Sequence, residues 1–217
     1  MAMYPSRVLV FCDDRYHPAS LVRAGLAFLN DIYRFDWVED PRNRDPASLA
    51  NYGVVVLAKS NHCTSADHAP WTGRGIEEQL DRYIQAGGGL VALHSGTAGY
   101  QGVSSIRSFL GGVFTGHPPP CEVQFQPEGS HEILNGIHED FSIDDEHYQM
   151  EMDDPDVSVF LRSKSACGTQ PAGWTRSHGQ GRVCVLTPGH TAAVWHHHAY
   201  RQLLHNSIRW AANDAHD

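Results

Sequence analysis

The sequence predicts an α/β protein built on one mostly parallel sheet. Three observations lead there: short apolar runs rich in β-branched residues, amphipathic helical stretches between them, and glycines where one gives way to the other. A strand buried on both faces needs no polar alternation. Continuous apolar runs separated by helices therefore imply right-handed crossovers and a sheet covered on both sides.

Arg7 to Cys12 (RVLVFC) reads as the first buried strand, and Asp13 to Pro18 as the polar loop after it. Ala19 to Asn30 places Leu21, Val22, Leu26 and Leu29 on one helical face. Phe35 to Val38 is the second strand and Val54 to Ala58 (VVVLA) the third. Gly75 to Ala86 is an amphipathic helix stopped by Gly87-Gly88-Gly89, and Leu90 to Leu93 the fourth strand. From Val113 to Phe160 the helical period weakens. Cys121 to Gln126 and Asp156 to Leu161 alternate between prolines and glycines, which suggests a β- and loop-rich insertion decorating the sheet. Arg182 to Leu186 (RVCVL) returns as a strand. Tyr200 to Ala211 closes the chain as a helix, with Leu203, Leu204, Ile208 and Trp210 on its apolar face. There are no internal repeats, so residues 1–217 are read as a single domain.

Composition narrows the function. A chain of 217 residues can bury a full core for one domain. Its net charge of -9 opposes a phosphate backbone, which argues against extensive nucleic-acid binding. No stretch approaches the length of a membrane span, and Met1 to Arg7 lacks the apolar run of a signal peptide. The five cysteines include no CxxC pair and are odd in number, which fits reduced thiols and a cytoplasmic setting. Lys59 and Lys164 are the only lysines, so arginine supplies nearly all fixed positive charge. The 15 histidines are an unusual load of groups that bind metals and move protons near neutral pH.

Four segments could carry chemistry. In GGGLVALHSGTAGY a glycine-rich turn feeds a strand that ends at His94 and Ser95. Carboxyl strand ends are where open α/β sheets bind ligands. The plainer reading is a turn whose polar residues cap the next helix. In LGGVFTGHPPP, His117 sits on a loop made close-packing by Gly116 and stiff by prolines; otherwise it is satisfied by loop carbonyls. In Asp144 to Tyr148 (DDEHY), strand parity puts Asp144, Glu146 and Tyr148 on one face, with Asp145 and His147 on the other. Glu146 could be a base or a metal ligand, or the run could be a solvated acidic face. Thr187-Pro188-Gly189-His190 follows RVCVL directly, so His190 should emerge beside His94. His17, in DDRYHP after the first strand, obeys the same rule.

Other signals are weaker. His196 to His198 lacks the offset that aligns two histidines on a helix, which favours a surface or packing role. His178, His205 and His216 are isolated and read as solvated. Trp174 and Trp195 could wall a sugar site, though buried tryptophan is commoner. No GxxxxGK[ST] or GxGxxG motif follows any strand, so nucleotide binding has no motif behind it.

Taken together, GGGLVALHSGTAGY, GGVFTGHPP, DDEHYQM, PAGWTRSHGQGRV, LTPGHT and YRQLLHNSIRWAA resemble the ThuA-like (trehalose utilisation) family over nearly the whole chain. The resemblance implies a flavodoxin-like three-layer sandwich similar to class I glutamine amidotransferases. It also implies a role in the metabolism of trehalose and related disaccharides. The amidotransferases carry a nucleophilic cysteine at the strand-end turn, whereas this chain has His94 there. Cysteine-dependent glutamine hydrolysis is therefore not expected. Adjacent Ser95 and His94 do not make a serine triad either.

Two functional readings stay open, beside a third in which the chain is a structural or partner-binding domain with neither metal nor sugar. In one, the protein is a sugar-acting hydrolase, lyase or isomerase. His94, His117 and His190 would hold a divalent metal such as zinc, with Glu146 and Ser95 in catalysis and His17, His147, Tyr148 and Trp174 contacting a carbohydrate. In the other, it binds or senses a carbohydrate without turning it over. A homo-oligomer is compatible with either.

Overall fold

The computed structural model describes residues 6–43 and 46–213. Its strands are β1 (Ser6–Phe11), β2 (Tyr33–Val38), β3 (Val54–Leu57), β4 (Gly89–Leu93), β5 (Gly112–Gly116), β6 (Cys121–Pro127), β7 (Phe141–Asp145), β8 (Gln149–Met152), β9 (Ser158–Ser165), β10 (Gly168–His178) and β11 (Gly181–Leu186). The helices are α1 (Ala19–Leu26), α2 (Ile76–Gln85), α3 (Ser104–Leu110), α4 (Ala192–His196) and α5 (His198–Ala211).

Among the described residues nine strands form one sheet, ordered β2-β1-β3-β4-β11-β10-β9-β6-β7. From β2 to β11 every neighbour is parallel. From β11 onward the pairs are antiparallel. The runs RVLVFC, VVVLA, LVAL and RVCVL thus share one sheet, as their apolar character predicts.

Strand alternation explains that character. Val8, Val10, Val56, Val91 and Cys184 face one core, closed by Val22 and Leu26 of α1 and Leu203, Leu204 and Ile208 of α5. Leu9, Phe11, Val55, Leu90 and Val183 face a second core, closed by Leu80 and Ile84 of α2 and Ile106 and Phe109 of α3. Successive side chains point to opposite faces, so both cores demand apolar residues and no polar beat survives. The result is the three-layer α/β sandwich.

The structure corrects several boundaries. The middle segment does not merely decorate the sheet: β6, β7 and β9 extend it, reached through the β10–β11 hairpin. Among the described residues only β5 and β8 stand apart, as a two-stranded ribbon. The first helix ends at Leu26 and gives way to a 3-10 turn over Ala27–Leu29. Strand β2 begins at Tyr33, earlier than its apolar residues suggest. It is an edge strand, and its Asp36 pairs with Arg7 at 2.6 Å. Helix α3 and strand β10 were not foreseen. No helix among the described residues is long and apolar enough to cross a membrane. His216 lies outside the described residues.

Candidate functional site

Because β1, β3, β4 and β11 run parallel, their carboxyl ends open on one edge of the sheet. The turns that follow bring His17, Ser60, His94 and His190 to that edge. Strand β7 is antiparallel to its neighbour β6 and ends at Asp145, so it delivers Glu146 from the far half of the sheet.

His94 sits at the tip of a tight turn with φ +46, a left-handed conformation uncommon outside glycine. The turn needs Gly96, where a side-chain carbon would lie 2.0 Å from the Leu57 carbonyl oxygen. The His94 Nδ1 is 2.8 Å from the Thr187 carbonyl oxygen. A carbonyl only accepts, so Nδ1 carries the hydrogen and Nε2 faces the site.

His17 is fixed by Asp14, whose Oδ1 is 3.0 Å from its Nδ1. Asp14 is fully buried and also accepts the backbone N–H groups of Tyr16, His17 and Ser60. Burial alone would raise this carboxyl. The hydrogen bond and charge of His17, with the backbone donors, instead hold it well below the usual range. The Nε2 of His17 then meets Nδ1 of His190 at 3.1 Å.

His190 is placed by Asp145. One carboxylate oxygen accepts from Gly189 N at 3.0 Å and the other from His190 N at 3.1 Å. Burial lowers the His190 imidazole, partly opposed by Glu146.

Glu146 joins these groups. Its carboxylate lies 3.5 Å from His94 Nε2, 3.3 Å from His190 Nδ1 and 3.4 Å from His117 Nε2. Burial pushes its carboxyl up. A protonated His94 would donate a hydrogen bond to it, and that bond with the charges of His94, His190 and His117 outweighs burial, so the net shift is downward.

One ligand atom each from His17, His94, Glu146 and His190 lies within 4.8 Å of the others. Tetrahedral zinc at about 2.0–2.1 Å from its ligands would set them roughly 3.3 Å apart. The closer separations here already match that spacing. Three imidazoles and one carboxylate are a fitting donor set. The outer nitrogens of His17 and His94 are held by Asp14 and by a carbonyl, as in metal sites whose ligand tautomers are preset.

The histidine grouping differs from the sequence reading. His17, assigned there to substrate, belongs to the four-residue cluster. His117 touches Glu146 but stands outside the cluster, at the mouth of the site on the β5 ribbon, with its Nδ1 2.7 Å from the Pro118 carbonyl. Beside the cluster opens a cavity of about 570 Å³, lined by Tyr16, His17, Ser60, His62, Ser95, Phe114, His117, Glu146 and Tyr148 among others. The Tyr148 hydroxyl is 3.0 Å from His94 Nε2.

Two expected contacts do not reach this cavity. His147 is buried on the opposite side, its ring nitrogens 2.7 and 3.1 Å from the hydroxyls of Ser165 and Ser163. Trp174 is fully buried in the second core and donates to the Leu110 carbonyl. Trp195 is likewise a core residue, bonded to the Gly189 carbonyl. His178 is not free in solvent but pairs with Asp81 at 2.6 Å, and His205 is half-buried beside Tyr33. His196 and His198 are exposed, while His197 stacks on Phe141.

Sequence reasoning missed Asp14, Asp145, Tyr16 and His62. Asp14 had a usable signal, since it follows a buried strand three residues before His17. Asp145 had none, because its partners are backbone N–H groups more than forty residues away.

Fold and site define a class: a three-layer α/β protein with a histidine at the tip of a strand-end turn and a histidine–carboxylate cluster beside a cavity. Residues 7–211 match the family model described as trehalose utilisation (ThuA), and the chain belongs to that family. Its fold is shared by a ThuA-like protein of Bacteroides uniformis (TM-score 0.77, 21% identity, 97% of this chain and 93% of that one). It is shared too by one of Parabacteroides merdae (TM-score 0.79, 16% identity, 97% and 91%). A GMP synthase subunit from Thermoplasma acidophilum is similar as well (TM-score 0.64, 15% identity, 96% and 95%). No curated protein sequence matches the chain.

Proposed function

We propose that this protein is a cytoplasmic enzyme of carbohydrate metabolism. It holds a divalent cation such as zinc on His17, His94, His190 and Glu146 and acts on a sugar in the adjoining cavity. The observation that carries this reading is the convergence of four ligand atoms within 4.8 Å from distant parts of the chain. Family membership supports a substrate related to trehalose or to an oxidised disaccharide. The five free cysteines support a reducing compartment.

When bound, the cation would supply Lewis-acid polarisation of a substrate oxygen. The chain's own groups do the rest. Asp14 and the Thr187 carbonyl keep hydrogens on the outer nitrogens of His17 and His94, so the inner lone pairs point inward. His117, at the cavity mouth and 3.4 Å from Glu146, is placed to hold or move a proton there. Phe114 and Tyr16 offer aromatic faces to a sugar ring. Hydrolysis, elimination and isomerisation of a sugar all use these parts.

The test is metal analysis of the purified protein together with product analysis on trehalose and keto-disaccharides. Near one equivalent of divalent metal is expected, with turnover lost to a chelator and restored by metal. Sugar binding without metal or turnover would instead favour a carbohydrate-binding module.

A further inference from the structure

We infer that Tyr148 is a hydrogen-bond donor that turns from His94 to the substrate when the cluster is loaded, so that the molecule accepted there presents an oxygen lone pair. This rests on the reading above that His94 is a ligand.

The argument begins with the two sides of the His94 ring. Nδ1 lies 2.8 Å from the Thr187 carbonyl oxygen, which can only accept. The neutral ring therefore carries its hydrogen on Nδ1 and leaves Nε2 bare. The Tyr148 hydroxyl is 3.0 Å from that bare nitrogen, so the hydroxyl donates. A cation on Nε2 claims the same lone pair, and one lone pair cannot serve both.

The Tyr148 side chain is shielded from bulk water. Tyr148 is buried, with its ring against His94 at 4.2 Å on one side and Phe114 at 4.1 Å on the other. Yet the residue lines the cavity. A buried donor without an acceptor is costly, so the displaced hydrogen needs a new oxygen, and an entering molecule can supply it. Carbonyl, hydroxyl and carboxylate oxygens qualify. An apolar or cationic group in that position does not. Tyr148 would thus read the oxygen function placed next to His94.

The decisive variant is Tyr148→Phe, which keeps the ring and deletes the hydroxyl. Zinc affinity is measured at pH 8, above the ordinary imidazole range, by competition with a chromophoric chelator. The variant should bind zinc about 2- to 10-fold more tightly, the net worth of one competing hydrogen bond. Zinc-loaded Tyr148→Phe should then bind acetohydroxamate about 5-fold or more weakly than zinc-loaded wild type, on the same principle. A residue that merely props the site would lower zinc affinity instead. Equal or weaker zinc binding, or unchanged acetohydroxamate binding, overturns this inference alone. Failure of the wild type to bind zinc overturns the metal reading and this inference with it. Should the variant misfold, a structure of the zinc-loaded wild type with acetohydroxamate decides. The Tyr148 oxygen should lie within about 3 Å of a hydroxamate oxygen, and a contact with Glu146 in its place refutes the inference.

Discussion

Nε2 of His17 lies 3.1 Å from Nδ1 of His190, across 173 positions of chain. The other nitrogen of His17 already donates to Asp14, so in the neutral ring Nε2 is bare. A contact this short needs a hydrogen from His190 or a cation between the two rings. Protons and metal therefore compete for the same space.

A pH dependence follows, and its sign is fixed by Glu146. That carboxyl is held below its ordinary value, so it stays ionised between pH 8 and pH 5. Changes in metal affinity across that window must come from the imidazoles, whose ordinary range is near 6.5. Zinc affinity should fall as the pH drops from 8 to 5. His190 should keep its lone pair to lower pH than an ordinary histidine, because burial lowers it. Glu146→Gln should weaken zinc binding at pH 8 and move the midpoint of the profile to lower pH, because the carboxylate's charge holds His190 up against burial. Competition titrations at several pH values check this, and a midpoint that stays in place or moves to higher pH in Glu146→Gln would contradict it.

Asp145 should matter through the turn it holds. Its two oxygens accept from Gly189 N and His190 N. An amide can accept at only one of them. Asp145→Asn should lower zinc affinity by about 10- to 100-fold, as loss of outer-shell support does. Asp144→Asn, exposed one residue earlier, should leave affinity unchanged. Isothermal titration of both variants is the measurement.

His94 should be dispensable for folding and indispensable for the site. Glycine accepts its φ of +46 without penalty, but the buried Tyr148 hydroxyl and the Thr187 carbonyl lose their partner, so His94→Gly should cost about 1–2 kcal/mol of unfolding free energy. The neighbouring Leu93→Ala, fully buried, should cost about 2–5 kcal/mol. Denaturant unfolding compares them. A collapse of His94→Gly to the level of Leu93→Ala would assign His94 a packing role.

How much of this was legible in the sequence depends on what each residue touches. The parallel strands were plain, because each faces two apolar cores and shows no polar beat. Strand β10 was hidden: its run TQPAGWT carries Pro171 and Gly173, and the register shifts on either side of Gly173. His94 and His190 were legible because strand-end position is written locally. The exchange of His17 for His117 was not. It depends on where the β5–β8 ribbon sits, and that ribbon pairs outside the main sheet. Strand parity correctly separated Glu146 and Tyr148 from His147, although no regular strand runs through those three residues.

The thiols should be spectators. Burial pushes Cys12 and Cys184 up to about 12, and Cys63 upward as well, while Cys167 is exposed. Iodoacetamide at neutral pH should label Cys167 and leave zinc binding intact. Loss of zinc binding on labelling one cysteine, with the fold preserved, would give that thiol a role.

Strand β11 sits between β4 and β10, and its Leu186 pairs with Leu93. A chain growing from its amino terminus therefore finishes β4 long before the neighbour that will cover it exists. Until β11 emerges from the ribosome, the Gly89–Leu93 edge offers open hydrogen-bonding groups flanked by apolar side chains, a template for unwanted strand pairing. The half-made protein is thus most exposed to aggregation at the strand that later presents His94. Chains truncated before Gly181 should depend on chaperones in a way the complete chain does not.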